Sequence, residues 1–90
     1  MTAPDDGELA ARARQGDRRA FATLVRRHQD RVFRFLRRML DSRDDALDLT
    51  QDTFMKAYEA LPGWQPQAQF GTWLLQIARN AALDQLRRRR

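Results

Sequence analysis

The ninety residues contain no cysteine, three prolines, four glycines, one histidine, one lysine and no long apolar run. Each scarcity closes a class of protein. Without cysteine there is no disulfide framework and no thiolate metal site, and a lone histidine cannot assemble a metal cluster. With no apolar stretch of membrane-spanning length and no signal-like start, the expectation is a cytoplasmic chain without membrane insertion. So few glycines and prolines, and no period-two alternation, leave helices as the fitting element, so the expected fold is all-α, a compact bundle of about four helices. A nucleophile beside a base and a phosphate-cradling glycine loop are both missing. The chain is therefore expected to have no catalytic residue, no metal and no cofactor, and not to be an enzyme. Residues 1–90 make a single domain whose stability should be about 5 to 13 kcal/mol.

What is present is charge, and it is segregated. Residues 1–40 carry ten arginines against five acids, residues 41–61 two cations against six acids, and residues 62–90 five arginines against one acid. A net charge of +5 thus hides an acidic segment between two basic ones. Two unlike partners fit this division, a polyanion for one surface and a basic protein for another.

The acidic segment is the centre of the chain. Over Asp44 to Tyr58 the residues Ala46, Leu49, Thr53, Phe54 and Ala57, with Leu61 beyond, fall on one helical face, which is the inward one. Asp44, Asp48 and Asp52 follow at i, i+4 and i+8 on the other side, beside Gln51, Met55 and Glu59. Stacked like charges cost about 0.2 to 0.5 kcal/mol per pair, and only the first turn recovers something from the helix dipole. That face is either a solvated acidic surface or a docking surface for arginines.

The flanking elements read in order. Met1 to Pro4 is expected to fray; Asp5 or Asp6 can cap a short helix through about Gln15, with Leu9, Ala10 and Ala13 inward. Gly16 can take the left-handed conformation that ends it, and Asp17 can cap the next helix. From Arg18 to about Leu40 a stripe of Phe21, Leu24, Val25, His28, Val32, Phe35, Leu36, Met39 and Leu40 predicts the longest core element. His28 is expected to pack there rather than to catalyse or switch. Arg27, Arg31, Arg34 and Arg38 form an outward row, with Asp30 placed to pair with Arg34; a solvated face is the reading, and contact with phosphate or an acidic regulator the alternative.

Asp41 to Asp44 breaks the pattern and can cap the acidic helix, which should stop near Leu61 before Pro62 and Gly63. The loop 62–69 follows, polar apart from Trp64, which either closes over the core as a lid or offers a face to a stacked base. A final helix should run from about Phe70 toward Arg90, with Phe70, Leu74, Ile77, Ala78 and Ala81 inward and Trp73 beside them. Gln76, Arg79, Asn80 and Arg87 project elsewhere, where amides and guanidinium groups can bond bases or phosphates. The basic end 87–90 can grip phosphates without base selectivity. A chain ending inside a basic helix is expected to be part of something longer.

Taken together, Gly16-Asp17 with Ala20-Phe21 and Leu24, then Asp45-Ala46, Asp48-Leu49, Gln51-Asp52 and Phe54, then Lys56-Ala57, and finally Phe70, Thr72-Trp73-Leu74, Ile77-Ala78 and Asn80 resemble region 2 of bacterial RNA polymerase sigma factors. The resemblance is to the extracytoplasmic-function (ECF) group of the sigma-70 family and covers nearly the whole chain. It implies a helical domain with two partners. One is core RNA polymerase, whose β′ clamp helices would meet Asp48, Gln51, Asp52 and Met55. The other is promoter DNA, the non-template strand of the minus-ten element, from which a flipped base would be captured at the loop. Trp64, Gln65, Gln67 and Gln69 would form or border that pocket, with Lys56, Gln76, Arg79 and Asn80 as polar contacts. The resemblance also implies an anti-sigma factor as a partner, a chain monomeric alone, and continuation beyond residue 90 into a linker and region 4.

Two departures stand out. Leu47 replaces the glutamate usual in the family, and the paired tryptophans that melt DNA in primary sigma factors are not apparent. Besides the transcription factor, two other readings remain: an interaction domain seen mainly as an anti-sigma target, and a basic domain that binds nucleic acid without sequence choice.

Overall fold

In the computed structural model, which describes residues 2–89, four helices follow one another: α1 (Asp6–Arg14), α2 (Arg18–Met39), α3 (Arg43–Ala60) and α4 (Phe70–Arg88). No strand occurs among the described residues. The punctuation is chemical. Asp5 caps α1 by accepting from the amide of Glu8 at 2.8 Å. Gly16, at φ 105°, ends it with two backbone bonds, its own amide to Ala13 and that of Asp17 to Arg12. This pair of bonds is the Schellman arrangement, which a left-handed glycine permits. Asp17 then caps α2 through the amide of Ala20.

Between α2 and α3 the cap is Ser42, whose Oγ accepts from the Asp45 amide at 3.2 Å. It lies inside the stretch read as a break, though no aspartate there does the capping; the shorter serine hydroxyl does. Pro62 sits in a 3₁₀ turn, Leu61–Gly63, that stops α3. The expected ends of Met1 and Arg90 fall outside the described residues.

α2, 22 residues and about 33 Å long, is the hub against which α1, α3 and α4 all pack. Its Leu24, Val32 and Leu36 are wholly buried, each contributing about 1.5 to 3 kcal/mol on removal from water. The inward face expected of α3 is buried at every position, Ala46, Leu49, Thr53, Phe54 and Ala57. Thr53 satisfies its buried hydroxyl by donating to the Leu49 carbonyl at 2.7 Å. On α4, Ile77 is half-buried, and Gly71 and Ala82 take the core places instead. At Gly71 the missing side chain lets the start of α4 come close to His28 and Arg31 of α2.

Candidate nucleic-acid interface and acidic docking face

The loop between α3 and α4 closes onto the core through Trp64, which is 1% exposed. Its indole Nε1 donates to the Ala68 carbonyl at 3.1 Å, so the ring both fills the core and ties the loop to itself. Arg14, at the end of α1, holds the same residue from outside. Its guanidinium donates to the Trp64 carbonyl at 2.8 Å and lies 5.7 Å from the ring centroid. Of the two roles open to Trp64, the lid is the one observed. The platform reading is corrected: a buried ring has no open face for a base.

Beside Trp64 is a cavity of about 470 Å³, walled by the start of α1, the middle of α2, the loop and the first turn of α4. One wall is a charged cluster. Asp6 accepts from Arg27 at 3.1 Å and lies 2.7 Å from His28 Nε2. His28 is buried, and its ring packs at 5.5 Å on Phe70, which in turn meets Trp73 at 5.6 Å. One turn along α2 from His28, Arg31 also lines the cavity. Its guanidinium lies so close to Gly71 that a Cβ there would come within 2.6 Å of Nη1. Only glycine lets the arginine fold over the helix start at that point. α4 begins without a side-chain cap at Gln69, so its first-turn amides face the cavity side with the positive end of the helix dipole.

The residues expected to contact DNA separate into groups. Gln69 lines the cavity, together with Thr72. Gln76 and Arg79 line a furrow between α2 and α4 with Phe35, Thr72 and Leu75. Gln65 and Gln67 are exposed on the loop but do not line the cavity. Lys56, on α3, and Asn80, one turn beyond Gln76, are exposed and line neither the cavity nor the furrow. Asp6, Arg14, His28 and Arg31 were not legible as parts of a site, because each reaches it from a helix distant in sequence. The arginine row gave the one signal available. Among the described residues no ion pair joins Asp30 to Arg34, contrary to their i, i+4 spacing.

The outer face of α3 is separate. Asp44, Asp48, Gln51 and Asp52 are exposed, and Met55 is 62% exposed. None of these aspartates has an ion-pair partner among the described residues; Asp45 alone is drawn aside, to Arg89 at 2.7 Å. Next to the acids is an apolar socket of about 340 Å³ formed by Phe21, Phe54, Met55 and Tyr58, with Glu59 at its edge. Phe21 and Tyr58 meet edge to face at 4.9 Å. Leu47, where the family's glutamate was missed, is 39% exposed. It adds apolar surface to this side instead of charge. Among the described residues no group of histidine, cysteine and carboxylate side chains is placed to hold a metal ion, and no helix is long and apolar enough to cross a membrane.

Residues 24–90 match the family model of Sigma-70 region 2. The RNA polymerase sigma-H factor of Pseudomonas aeruginosa is 36% identical over 86 residues, covering 96% of this chain and 45% of that protein. The ECF RNA polymerase sigma-E factor of Haemophilus influenzae is 41% identical over 81 residues, covering 90% of this chain and 42% of that protein. The chain spans less than half the length of these relatives. Among solved structures, an engineered region 2 of sigmaE in complex with GTAAAA matches with a TM-score of 0.88 at 38% identity, covering 96% of this chain and 90% of that one. CnrH in complex with the cytosolic domain of CnrY matches with a TM-score of 0.82 at 38% identity, covering 88% and 51%. With the family model matched over most of its length and with these relatives, the chain belongs to the Sigma-70 region 2 family, alongside the ECF sigma factors.

Proposed function

We propose that this chain is the promoter-reading and polymerase-binding domain of a sigma factor, working in the cytoplasm and performing no covalent chemistry itself. The observation that carries the reading is the cavity at the loop, which lies on a fold matching, at a TM-score of 0.88, a region 2 bound to GTAAAA. A flipped base of the minus-ten non-template strand enters beside Gln69 and Thr72. Flipping costs a few kcal/mol of stacking, which an aromatic and apolar wall with edge-reading polar groups can offset. Trp64 shapes that wall from within the core. Lys56, Gln76, Arg79 and Asn80 meet neighbouring nucleotides outside it.

The acidic face of α3 docks on the basic β′ clamp helices of core RNA polymerase, with Asp48, Gln51, Asp52 and Met55 in contact. Unpaired like charges on one helix favour an oppositely charged partner, through faster encounter as well as attraction. A second reading has its own observation. The socket of Phe21, Phe54, Met55 and Tyr58 adjoins the acids and is apolar, which suits an anti-sigma segment competing for the same side; the match to CnrH was solved with the cytosolic domain of CnrY. A further domain for the minus-35 element and a monomeric free state belong to the same proposal.

The test is fluorescence-anisotropy binding to a library of short single-stranded oligonucleotides at two salt concentrations, with the duplexes as controls. Preference for one short motif in single strands is the expected result. Equal binding to all sequences, strongly weakened by salt, overturns base capture and leaves a phosphate-binding surface.

A further inference from the structure

α1 has nine residues, too few to hold a helix by itself, and it buries only Leu9, Ala10 and Ala13. Its start nevertheless lines the cavity through Asp5, Asp6 and Gly7, and the start of α4 lines it through residues 69–72. These two helix starts are far apart in the chain, and one side chain touches both. His28, 7% exposed in the middle of α2, has its Nε2 at 2.7 Å from Oδ2 of Asp6, and its ring packs at 5.5 Å on Phe70. Its Cε1 also comes so near the backbone of Gly71 that a Cβ there would lie 3.3 Å away.

Facing a carboxylate, Nε2 carries the hydrogen and donates it. The imidazole thus turns a polar edge to α1 and its carbon atoms to α4. Packing alone does not call for that edge. A phenyl ring would fill the same space on Phe70 with no buried polar atom to satisfy. Asp6 is in turn fixed from two directions, because its other oxygen accepts from Arg27 at 3.1 Å.

We infer that His28, held by Asp6, is a positioning residue for base capture: it sets the spacing between the starts of α1 and α4, and with it the width of the cavity. The inference rests on the base-capture reading proposed above. A site that chooses between bases by hydrogen bonds does so only while its groups stay within about 0.5 Å of their places. Without the bond from His28, the first turn of α1 is free to move away from α4 while Leu9, Ala10 and Ala13 keep the rest of the helix docked. The strand still binds, and the choice of base suffers.

The experiment uses the whole chain in three variants. Asp6→Ala removes the acceptor, Asp6→Asn keeps an oxygen in its place, and His28→Phe keeps a ring against Phe70 but loses the donor. Should His28→Phe fail to fold, the Asp6 pair still decides, since that side chain is one-third exposed. The control is Val32→Ala, wholly buried one turn further along α2 and lining neither cavity nor furrow. Urea unfolding fixes conditions under which every variant is folded. Anisotropy then gives the ratio of affinities for the preferred single strand and for its single-base variants, a ratio from which the change in net charge cancels.

The ratio should fall about tenfold in Asp6→Ala and His28→Phe, recover largely in Asp6→Asn, and stay at the parent value in Val32→Ala. Asp6→Ala, a change on α1, should also displace the amide resonances of Gly71 and Thr72 on α4. An undiminished ratio in Asp6→Ala, or an equal loss in Val32→Ala, overturns the positioning role. A parent chain without any preferred strand would instead overturn base capture, and the Gly71 and Thr72 resonances would still decide whether Asp6 and His28 set the spacing.

Discussion

The outer face of α3 and the side formed by α2 and α4 are opposites in charge and also in how they are built. The acids Asp44, Asp48 and Asp52 belong to one helix and are brought together by its pitch alone. The cavity and its bracing draw on α1, α2, the loop and α4, and each central contact joins residues distant in sequence: Asp6 meets His28, Arg14 meets Trp64, and Arg31 lies over Gly71. The difference teaches where robustness lies. A face made by one helix survives changes elsewhere, whereas an assembled cavity depends on every piece that braces it.

Trp64→Ala tests that dependence most severely. Emptying a core site of this size costs about 3 to 5 kcal/mol, a large share of the stability of so small a domain. Urea unfolding should show the loss, and motif preference on single strands should vanish with it. A variant as stable as the parent would mean that the loop is not braced by this ring. The lid role sets this expectation, since the ring is buried.

Asp48→Arg with Asp52→Arg should act in the other direction. Removing the stacked repulsion leaves stability unchanged or slightly raised. Competition for core polymerase should weaken by about tenfold to a hundredfold, or about 1.4 to 2.7 kcal/mol. Binding of single strands should not fall. Equal losses for polymerase and DNA would erase the distinction between the two surfaces.

Arg14→Ala removes one hydrogen bond and one cation–π contact from the back of the loop, which together contribute about 1 to 2 kcal/mol. In a Trp73→Phe background, a shift in Trp64 fluorescence reports the loosened loop directly. Motif preference should weaken without a change in salt slope, since Arg14 touches Trp64 and does not line the cavity. An unaltered emission spectrum would show that the latch does not hold the ring.

Gly71→Ala has the smallest expected effect on folding, within about 1 kcal/mol: alanine favours a helix, the main displaced group is the mobile end of Arg31, and the His28 ring, 3.3 Å from the new Cβ, has only to give slightly. Single-strand affinity should nevertheless drop as Arg31 leaves the cavity rim, a split that calorimetry and anisotropy together can resolve. Unchanged affinity would remove Arg31 from the site.

Helix number, order and most boundaries were legible in the sequence because they are local. Gly16-Asp17 and Pro62-Gly63 act through backbone chemistry within a turn of themselves, and the inward faces follow from periodicity. The face of α3, with its acids outward, was determined in the same way. Tertiary structure alone decided that Trp64 is a lid, that Asp30 leaves Arg34 unpaired, that His28 is held by an aspartate 22 residues away, and that Arg31 bends over Gly71. Pitch sets which residues share a side of one helix; which side of another helix they meet depends on the packing of all four. The acidic face of α3 could therefore be read from the chain, while the cavity exists only where α1, α2, the loop and α4 converge.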